Sequence, residues 1–263
     1  KTAYEIRLSL VGSEMCIRDR SSTSVSSFNT SSWDPVLVTV ASSFTLSVSS
    51  TAVGVSFMLI GALKNKLQSI GYLKEKDSIN LSSILDLVAL GTICDVVPLI
   101  GPNRAFVKHG LKVMSKRQNI GIDALFKISE IEDFPNVFHA GFILGPRINA
   151  GGRVGKCSHG ANLLLNSNPK EVFKLATELD LYNKERQLLE KDLLDKALSQ
   201  SKTKLNDPVL ILSGTNWHEG IIGIVAGRLK DKFNKPVIII SINGEIGKAS
   251  ARSIFGFDIG SSI

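Results

Sequence analysis

The sequence reads PVLIL at residues 208–212 and PVIII at residues 236–240, two short apolar runs on either side of a stretch with helical spacing at 220–233. Two strands separated by one helix predict a β-α-β unit, in which the strands pair in parallel. Residues 247–254 then place Lys, Ser and Arg at alternate positions, which predicts a third strand with a polar face. This part of the chain is therefore predicted to be a small α/β lobe. Because no capping element follows the third strand, we expect the lobe to be truncated.

A long helix is predicted upstream of this lobe. Pro169 suits the first turn of a helix, and helical spacing continues from there to about Leu205. At the usual rise per residue this helix would be about 50 Å long, which is more than a compact domain needs. We therefore interpret residues 169–205 as a connector between two lobes.

Shorter helices are predicted before residue 169. Residues 54–67 carry four apolar side chains on one face, and residues 81–93 are apolar on most sides, so both are expected to be core helices. A third helix is predicted at 104–114, and the glycine-rich segment 145–155 interrupts the helical pattern. The apolar face of the first helix consists of Phe57, Ile60, Leu63 and Leu67, and the third is expected to turn Phe106, Leu111 and Met114 inward.

The composition favours a cytoplasmic protein with an anionic partner. Lys and Arg number 31 against 24 Asp and Glu, a formal net charge of +7, and a basic excess favours polyanions such as nucleic acid. The three cysteines form no CxxC pair and are too scattered for a disulfide framework, which indicates a reducing compartment. Residues 35–63 are uncharged, but the first half is rich in Ser and Thr and the second is typical of a buried helix, so no membrane span is expected.

Residues 1–51 differ in composition from the rest of the chain. Ser and Thr dominate residues 21–51, where Asp34 is the single charge, and such a segment cannot bury enough apolar surface to fold. The string LVGSEMCIRD at residues 10–19 resembles the conceptual translation of a sequencing-library adapter. We interpret residues 1–51 as a non-native or out-of-frame segment, expected to be disordered, and exclude it from the functional argument. A natural disordered linker is the alternative.

Asp95 is the first candidate functional residue. It lies in the apolar run GTICDVVPL at residues 91–99, where a carboxylate is costly unless it is hydrogen-bonded, paired or bound to a metal. It is therefore a candidate oxygen ligand for Mg²⁺ or Mn²⁺. The more common alternative is an Asp at a helix end that accepts hydrogen bonds from nearby backbone amides.

The segment GPRINAGGR at residues 145–153 is the second candidate. Its glycines would let the backbone approach a ligand closely, and Arg147 and Arg153 offer planar guanidinium groups that suit phosphate oxygens. Solvated residues of a turn are the alternative.

The third candidate combines a helix start and the third strand. His218 precedes the helix, whose N-terminal amides favour an anion, and Trp217 could offer a stacking face for a base. Alternating Ser and Arg on the strand could follow successive phosphates. The alternatives are a Trp in the core and basic residues that protect a strand edge. The polar residues of the strand are Lys248, Ser250, Arg252 and Ser253.

The order of these segments resembles that of the RecJ exonuclease branch of the DHH phosphoesterases. The resemblance covers nearly all of residues 52–263 and rests on five segments, at 86–99, 145–153, 185–187, 217–228 and 247–253. It implies an α/β fold with a partial, mostly helical DHH lobe at 52–168, a connecting helix at 169–205 and a smaller α/β DHHA1 lobe at 206–263.

The resemblance also implies an activity and its residues. In this family the DHH lobe carries Asp and His ligands for two Mn²⁺ or Mg²⁺ ions, and the DHHA1 lobe holds single-stranded DNA for hydrolysis by a two-metal mechanism. Asp95 would be the metal ligand and catalytic residue. The implied protein is a cytoplasmic monomer of DNA repair and recombination, with a single-strand-binding protein or a helicase as candidate partners. The nucleic-acid path would be lined by Arg147, Asn149, Arg153, Gln187, His218, Arg228, Ser250, Arg252 and Ser253.

The sequence departs from the family at the metal site. The Asp-His-His signature is absent, and His109, His139 and His159 stand in other contexts. Because Asp95 alone cannot hold two ions, we predict that this chain as it stands is inactive. Two alternatives are a DHH phosphodiesterase for oligonucleotides or cyclic dinucleotides, whose glycine-rich histidine motif does not match residues 248–253, and a non-catalytic single-strand-binding module.

Overall fold

The computed structural model describes residues 51–74 and 80–262, which form two compact units, residues 51–145 and residues 146–262. The interpretation of residues 1–51 as non-native and disordered therefore lies outside the described residues except at Thr51, which is 3% exposed and caps the first described helix. None of the described helices combines the length and the hydropathy needed to cross a membrane.

The unit of residues 51–145 is helical. Its α2 and α3 helices pack closely at Gly110, where a Cβ atom would lie 2.2 Å from the carbonyl oxygen of Leu85. The prediction that residues 81–93 are buried on most sides is confirmed, since Val88, Ala89 and Leu90 are at most 4% exposed. The elements are α1 (Ala52–Ser69), a 3-10 turn (Leu81–Ile84), α2 (Leu85–Cys94), α3 (Gly101–Met114), α4 (Ile120–Ile128) and a π-helix (His139–Leu144).

The prediction that α1 is a core helix is wrong for the described residues. Ile60 is 41% exposed and Leu63 is 50% exposed, and Gly54 is the one buried residue within the helix. The helix meets α2 over a narrow strip at Val53, whose Cγ1 atom would lie 2.7 Å from a Cβ added to Gly91. The described residues therefore cover one side of α1, although apolar side chains occur around much of its circumference.

The glycine-rich segment does not interrupt helical structure, contrary to the prediction. Residues Gly145–Val154 form helix α5, which α6 (Ser158–Leu165) and α7 (Pro169–Ser201) follow. Two glycines of the segment permit close approach within the protein: a Cβ at Gly151 would lie 2.7 Å from the carbonyl oxygen of Lys156, and one at Gly155 would lie 2.4 Å from the ring of Tyr182. A segment rich in glycine can remain helical when packing against neighbouring elements compensates for its low helix propensity.

The predicted β-α-β unit and third strand are confirmed. Strand β1 (Leu210–Thr215) pairs in parallel with β2 (Val237–Asn243), and helix α8 (Glu219–Phe233) connects them. A turn at Gly244, with φ +60°, returns the chain as β3 (Ile246–Arg252), antiparallel to β2. A 3-10 turn (Lys202–Lys204) precedes the sheet, and a short helix α9 (Ile259–Ser262) follows it.

The core of this unit lies between one face of the sheet and helices α7 and α8. Alternate residues of β2 point into it, and Ile239 and Leu212 are fully buried, each contributing about 1.5–3 kcal/mol through burial. Trp217 belongs to this core at 9% exposure, so the idea that it offers a stacking face to a base is wrong. Its indole folds back over β1 at Gly214, where a Cβ would lie 2.2 Å from Cε2 of the ring.

Side chains occupy the outer edge of β1. The amide of Gln200 donates to the carbonyl oxygen of Ser213 at 3.1 Å and accepts from its backbone nitrogen at 3.0 Å. The Lys204 ammonium donates to the carbonyl oxygen of Ile211 at 2.8 Å. These groups take the place of a neighbouring strand, so the backbone groups that they bind are satisfied at the edge of the sheet.

Candidate nucleic-acid interface

Polar residues interrupt the apolar stripe of helix α7. Buried positions recur every three or four residues along the helix, as in a helix that packs along one side. In the middle of this stripe stand Asn183 at 3% exposure, Glu190 at 2% and Arg186, whose side chain is 14% exposed. Such groups are costly to bury unless they are paired. The apolar positions on either side are Val172, Ala176, Leu179, Leu193 and Ala197.

Glu190 pairs with arginines from two helices. Its Oε2 atom lies 2.6 Å from Nη1 of Arg186, and its Oε1 atom forms an ion pair with Nη2 of Arg228 on α8. Arg186 also donates through Nε to the Oδ1 atom of Asn183 at 3.2 Å. One buried carboxylate therefore holds two guanidinium groups.

Arg153 lies within the electrostatic reach of this pair. Its Nη1 atom donates to the carbonyl oxygen of Gly220 at 3.0 Å. Burial, followed by the neighbouring charges of Arg186 and Arg252, lowers the pKa of Arg153 to about 10, although the carboxylate of Glu190 opposes this shift. Arg153 stays protonated at neutral pH, since that pH is well below 10.

We define the arginine cluster as Glu190 and four arginines. Glu190 pairs with Arg186 and Arg228, and Arg153 lies within electrostatic reach of Glu190, Arg186 and Arg252. The arginines come from α5, α7, α8 and β3, so four separate elements contribute one each. Counted over these five residues alone, four guanidinium groups and one carboxylate carry a formal charge of +3. The cluster is therefore a partly buried cationic site with planar groups that suit phosphate oxygens.

The predicted polar face of β3 adjoins the start of α8. Lys248 pairs with Glu219 at 2.7 Å, and Arg252 donates to Ser250 Oγ at 3.3 Å. Ser250 and Arg252 are half-buried. Ser253 lies beyond the strand at 3% exposure, and its hydroxyl donates to the carbonyl oxygen of Phe257, so it stabilises the following turn and is not presented to solvent.

The start of α8 combines a histidine cap with a close backbone contact. His218 is exposed, and its Nδ1 atom accepts from the backbone nitrogen of Gly220 at 3.2 Å, which leaves Nε2 as the donor of the neutral ring. A Cβ at Gly220 would lie 2.2 Å from the carbonyl oxygen of Arg153. Glycine is therefore required where α8 meets α5.

Arg147 belongs to a second ion-pair group on α7. Its Nε atom lies 2.9 Å from Oδ1 of Asp180, which is 6% exposed and also pairs with Lys184 at 2.8 Å. Asp180 and Glu190 stand ten positions apart, about 15 Å along the helix. Asn149 is half-buried on the same helix as Arg147, and Gln187 is exposed on α7.

The structure thus places Arg153, Arg228 and Arg252 in one cluster, with Arg228 linked to it through Glu190, but pairs Arg147 with a different carboxylate. Sequence reasoning missed Arg186, Glu190 and Asp180 as parts of the site. The missed signal was the occurrence of charged residues at positions where the spacing of α7 calls for apolar ones.

Asp95 lies at the C-terminal end of α2, in the unit of residues 51–145. It is half-buried, and its backbone nitrogen donates to the carbonyl oxygen of Gly91 at 3.0 Å. Within residues 51–74 and 80–262, no group of three or more His, Cys, Asp and Glu side chains could hold a metal ion. The described residues therefore do not fit a two-metal centre, and Asp95 is a candidate for a single ligand.

Next to Asp95, the thiol of Cys94 should react slowly with alkylating agents. Burial, and secondarily the charge of Asp95, raise the pKa of Cys94 to about 12, so about one molecule in ten thousand carries the thiolate at pH 8. Iodoacetamide at pH 8 should modify the exposed Cys157 well before Cys94, as followed by mass spectrometry of peptides. In urea both should react at similar rates, whereas equal rates in the native chain would contradict the prediction.

Comparisons with known proteins show what this chain is similar to. Residues 206–263 match the DHHA1 domain family. A single-stranded-DNA-specific exonuclease RecJ of Haemophilus influenzae is 37% identical over 80% of this chain and 38% of its own length. The protein of the same name from Salmonella typhimurium is 40% identical, again over 80% of this chain and 38% of its own length.

Solved structures give the same result. The exonuclease RecJ bound to manganese superimposes with a TM-score of 0.72 and 30% identity, over 84% of this chain and 53% of that one. RecJ from Thermus thermophilus in complex with Mg²⁺ gives a TM-score of 0.70 and 30% identity, over 84% of this chain and 33% of that one. The chain thus spans about two-fifths of the length of the curated relatives named above.

Proposed function

We propose a function for this chain, which belongs to the RecJ family of DHH/DHHA1 proteins. Residues 146–262 bind single-stranded DNA through the arginine cluster. The protein in which these residues act would be a metal-dependent single-stranded-DNA exonuclease of repair and recombination. Hydrolysis would take place at the metal centre of that protein. Among the described residues, which contain no group of three potential ligands, Asp95 is the proposed ligand.

The arginine cluster carries this proposal. Its net charge of +3 is concentrated in a half-buried site, where electrostatic attraction to a phosphate is less screened than on an open surface. Arginine forks bind phosphate oxygens in two parallel hydrogen bonds, and such contacts hold a strand without reading its sequence. Neutral donors accompany the four arginines: Asn149, Gln187 and Ser250 stand on the same elements, and His218 caps α8.

The division of labour along the chain is part of the proposal. We assign residues 52–168 to the DHH lobe, 169–205 to the connecting helix and 206–263 to the DHHA1 lobe, the range that matches the DHHA1 domain family. Helix α7 supplies Arg186 and Glu190 to the cluster, so its role extends beyond connection. We place the protein in the cytoplasm as a monomer, with a single-strand-binding protein or a helicase as candidate partners.

Binding of the full chain to DNA tests the proposal, with Arg252→Ala as the first variant. The chain should bind a single strand more tightly than a duplex of equal length, measured by fluorescence anisotropy at several salt concentrations. Arg252→Ala should weaken single-strand binding about tenfold or more, because a charge-assisted contact to phosphate is lost, and should reduce the slope of log K against log salt by about 1.

Lys196→Ala is the matched control. Lys196 is an exposed cation of α7 that pairs with Asp192 at 2.7 Å, so its removal changes the net charge equally but leaves the arginine cluster intact. A chain that shows no preference for single strands, or an Arg252→Ala variant that binds like Lys196→Ala, would contradict the proposed function.

A further inference from the structure

Glu190 is an unexpected residue to find among four arginines that are proposed to bind DNA. Its carboxylate is 2% exposed and touches Arg186 and Arg228 through separate oxygens. If charge alone governed affinity, this carboxylate would weaken DNA binding, since it neutralises part of the cluster and would repel phosphate. A purely electrostatic account therefore gives Glu190 no useful role.

We propose that Glu190 is a positioning residue that orients Arg186 and Arg228 to receive phosphate, an inference that rests on the proposed function of the arginine cluster. Arg228 has a side chain that is 59% exposed and would otherwise sample many rotamers. The ion pair with Glu190 restricts the guanidinium group before DNA arrives, so less conformational entropy is lost on binding. Its remaining N–H groups stay available for phosphate oxygens.

Arg186 needs Glu190 for a second reason. It lies close enough to Arg153 to lower the pKa of that residue, so the two guanidinium groups repel one another. Its side chain is 14% exposed, and the hydrogen bond from Nε to Asn183 at 3.2 Å is to a neutral acceptor. Without the carboxylate at 2.6 Å, a buried cation beside other cations would move towards water. Glu190 thereby keeps the arginines of α5 and α7 at close range.

Glu190→Gln in the full chain separates positioning from charge. The substitution preserves size and raises the net charge of the cluster from +3 to about +4, so an electrostatic account predicts tighter binding with a steeper salt dependence. The positioning role predicts the opposite result. Single-strand affinity, measured by fluorescence anisotropy, should fall about tenfold, and the slope of log K against log salt should decrease by about 1.

Asp192→Asn is the matched control. It removes the same charge from the same helix, but Asp192 is 62% exposed and pairs with Lys196 away from the buried stripe. Its affinity should equal that of the unaltered chain or be slightly higher. If Glu190→Gln behaves like Asp192→Asn, or binds more tightly than the unaltered chain, the inference is overturned.

A double-mutant cycle tests whether Glu190 acts through Arg228. The loss in Glu190→Gln/Arg228→Ala should be smaller than the product of the two single losses, because a residue that positions Arg228 has less effect once Arg228 is absent. A loss equal to that product would overturn the inference.

A second variant tests the positioning role if Glu190→Gln fails to fold. If thermal unfolding shows that Glu190→Gln is not folded, Glu190→Asp retains the charge and should lose part of the affinity, because its shorter carboxylate cannot reach both arginines. Full affinity of Glu190→Asp would overturn the inference. If the unaltered chain does not bind single strands, the proposed function itself is wrong. If the unaltered chain binds single strands and Glu190→Gln binds them equally well, only the positioning role is wrong.

Discussion

The 263-residue chain, incubated with Mn²⁺ and an end-labelled single strand, should release no nucleotides above the level of a metal-free control. Two-metal hydrolysis needs several carboxylate and imidazole ligands to hold the ions that activate water and stabilise the charge on phosphate. The sequence contains no Asp-His-His signature, and the described residues hold no group of three potential ligands. We therefore expect this chain to show none of the single-stranded-DNA exonuclease activity proposed for the protein in which these residues act.

Two of the four imidazoles of the chain make other contacts. His218 caps α8 through Nδ1, and His159 lies with Nδ1 3.3 Å from a carboxylate oxygen of Glu178. Asp95→Ala distinguishes real activity from contamination, because trace nuclease from the expression host would be equal in both preparations. Robust Mn²⁺-dependent release of nucleotides that disappears in Asp95→Ala would contradict the prediction. It would indicate that Asp95 is a ligand of a functional metal centre.

Gly220→Ala should destabilise the unit of residues 146–262 severely. The added Cβ would lie 2.2 Å from the carbonyl oxygen of Arg153, and backbone cannot move aside as a flexible side chain can. We expect the free energy of unfolding to fall by about 3 kcal/mol, the upper part of the range for overpacked sites. The same shift would separate Arg153 from the other arginines and lower single-strand affinity. Urea unfolding followed by circular dichroism measures the first effect.

Gly227→Ala is the control for this prediction. Gly227 lies in the same helix, α8, but no atom comes within 4 Å of a Cβ placed there. Since alanine is a better helix former than glycine, this variant should be more stable by about 0.5–1 kcal/mol. Similar stabilities for Gly220→Ala and Gly227→Ala would mean that α5 and α8 do not require their close contact.

The small lobe could be predicted from sequence because its signals are local. The apolar runs at 208–212 and 236–240 begin at prolines, and the helix between them has clear spacing, so chain order alone predicted the parallel pair. The polar face of β3 followed from strict alternation. Arg153, Arg228 and Arg252 were identified individually, but no local pattern reveals that Arg153 and Arg252, 99 positions apart, lie within electrostatic reach of each other.

Packing between distant segments decided the features that sequence did not predict. Residues 145–155 resemble a loop by composition, yet most of them are helical, and Gly151 and Gly155 fit closely against Lys156 and Tyr182. Trp217 could have been a base-stacking surface or a core residue, and Gly214 made room for it in the core. Apolar spacing in α1 predicted a buried face, but spacing cannot tell whether a neighbour covers it.

The side chains at the edge of β1 affect self-association. A bare strand edge is a template on which a second molecule can add a strand, and this is a common route to aggregation. An incoming strand would have to displace Gln200 from Ser213 and Lys204 from Ile211. At the other margin β3 pairs with β2 alone among the described strands, and its basic face would repel an identical copy. The sheet therefore resists polymerisation at both margins, through occupied backbone groups on one side and like charge on the other.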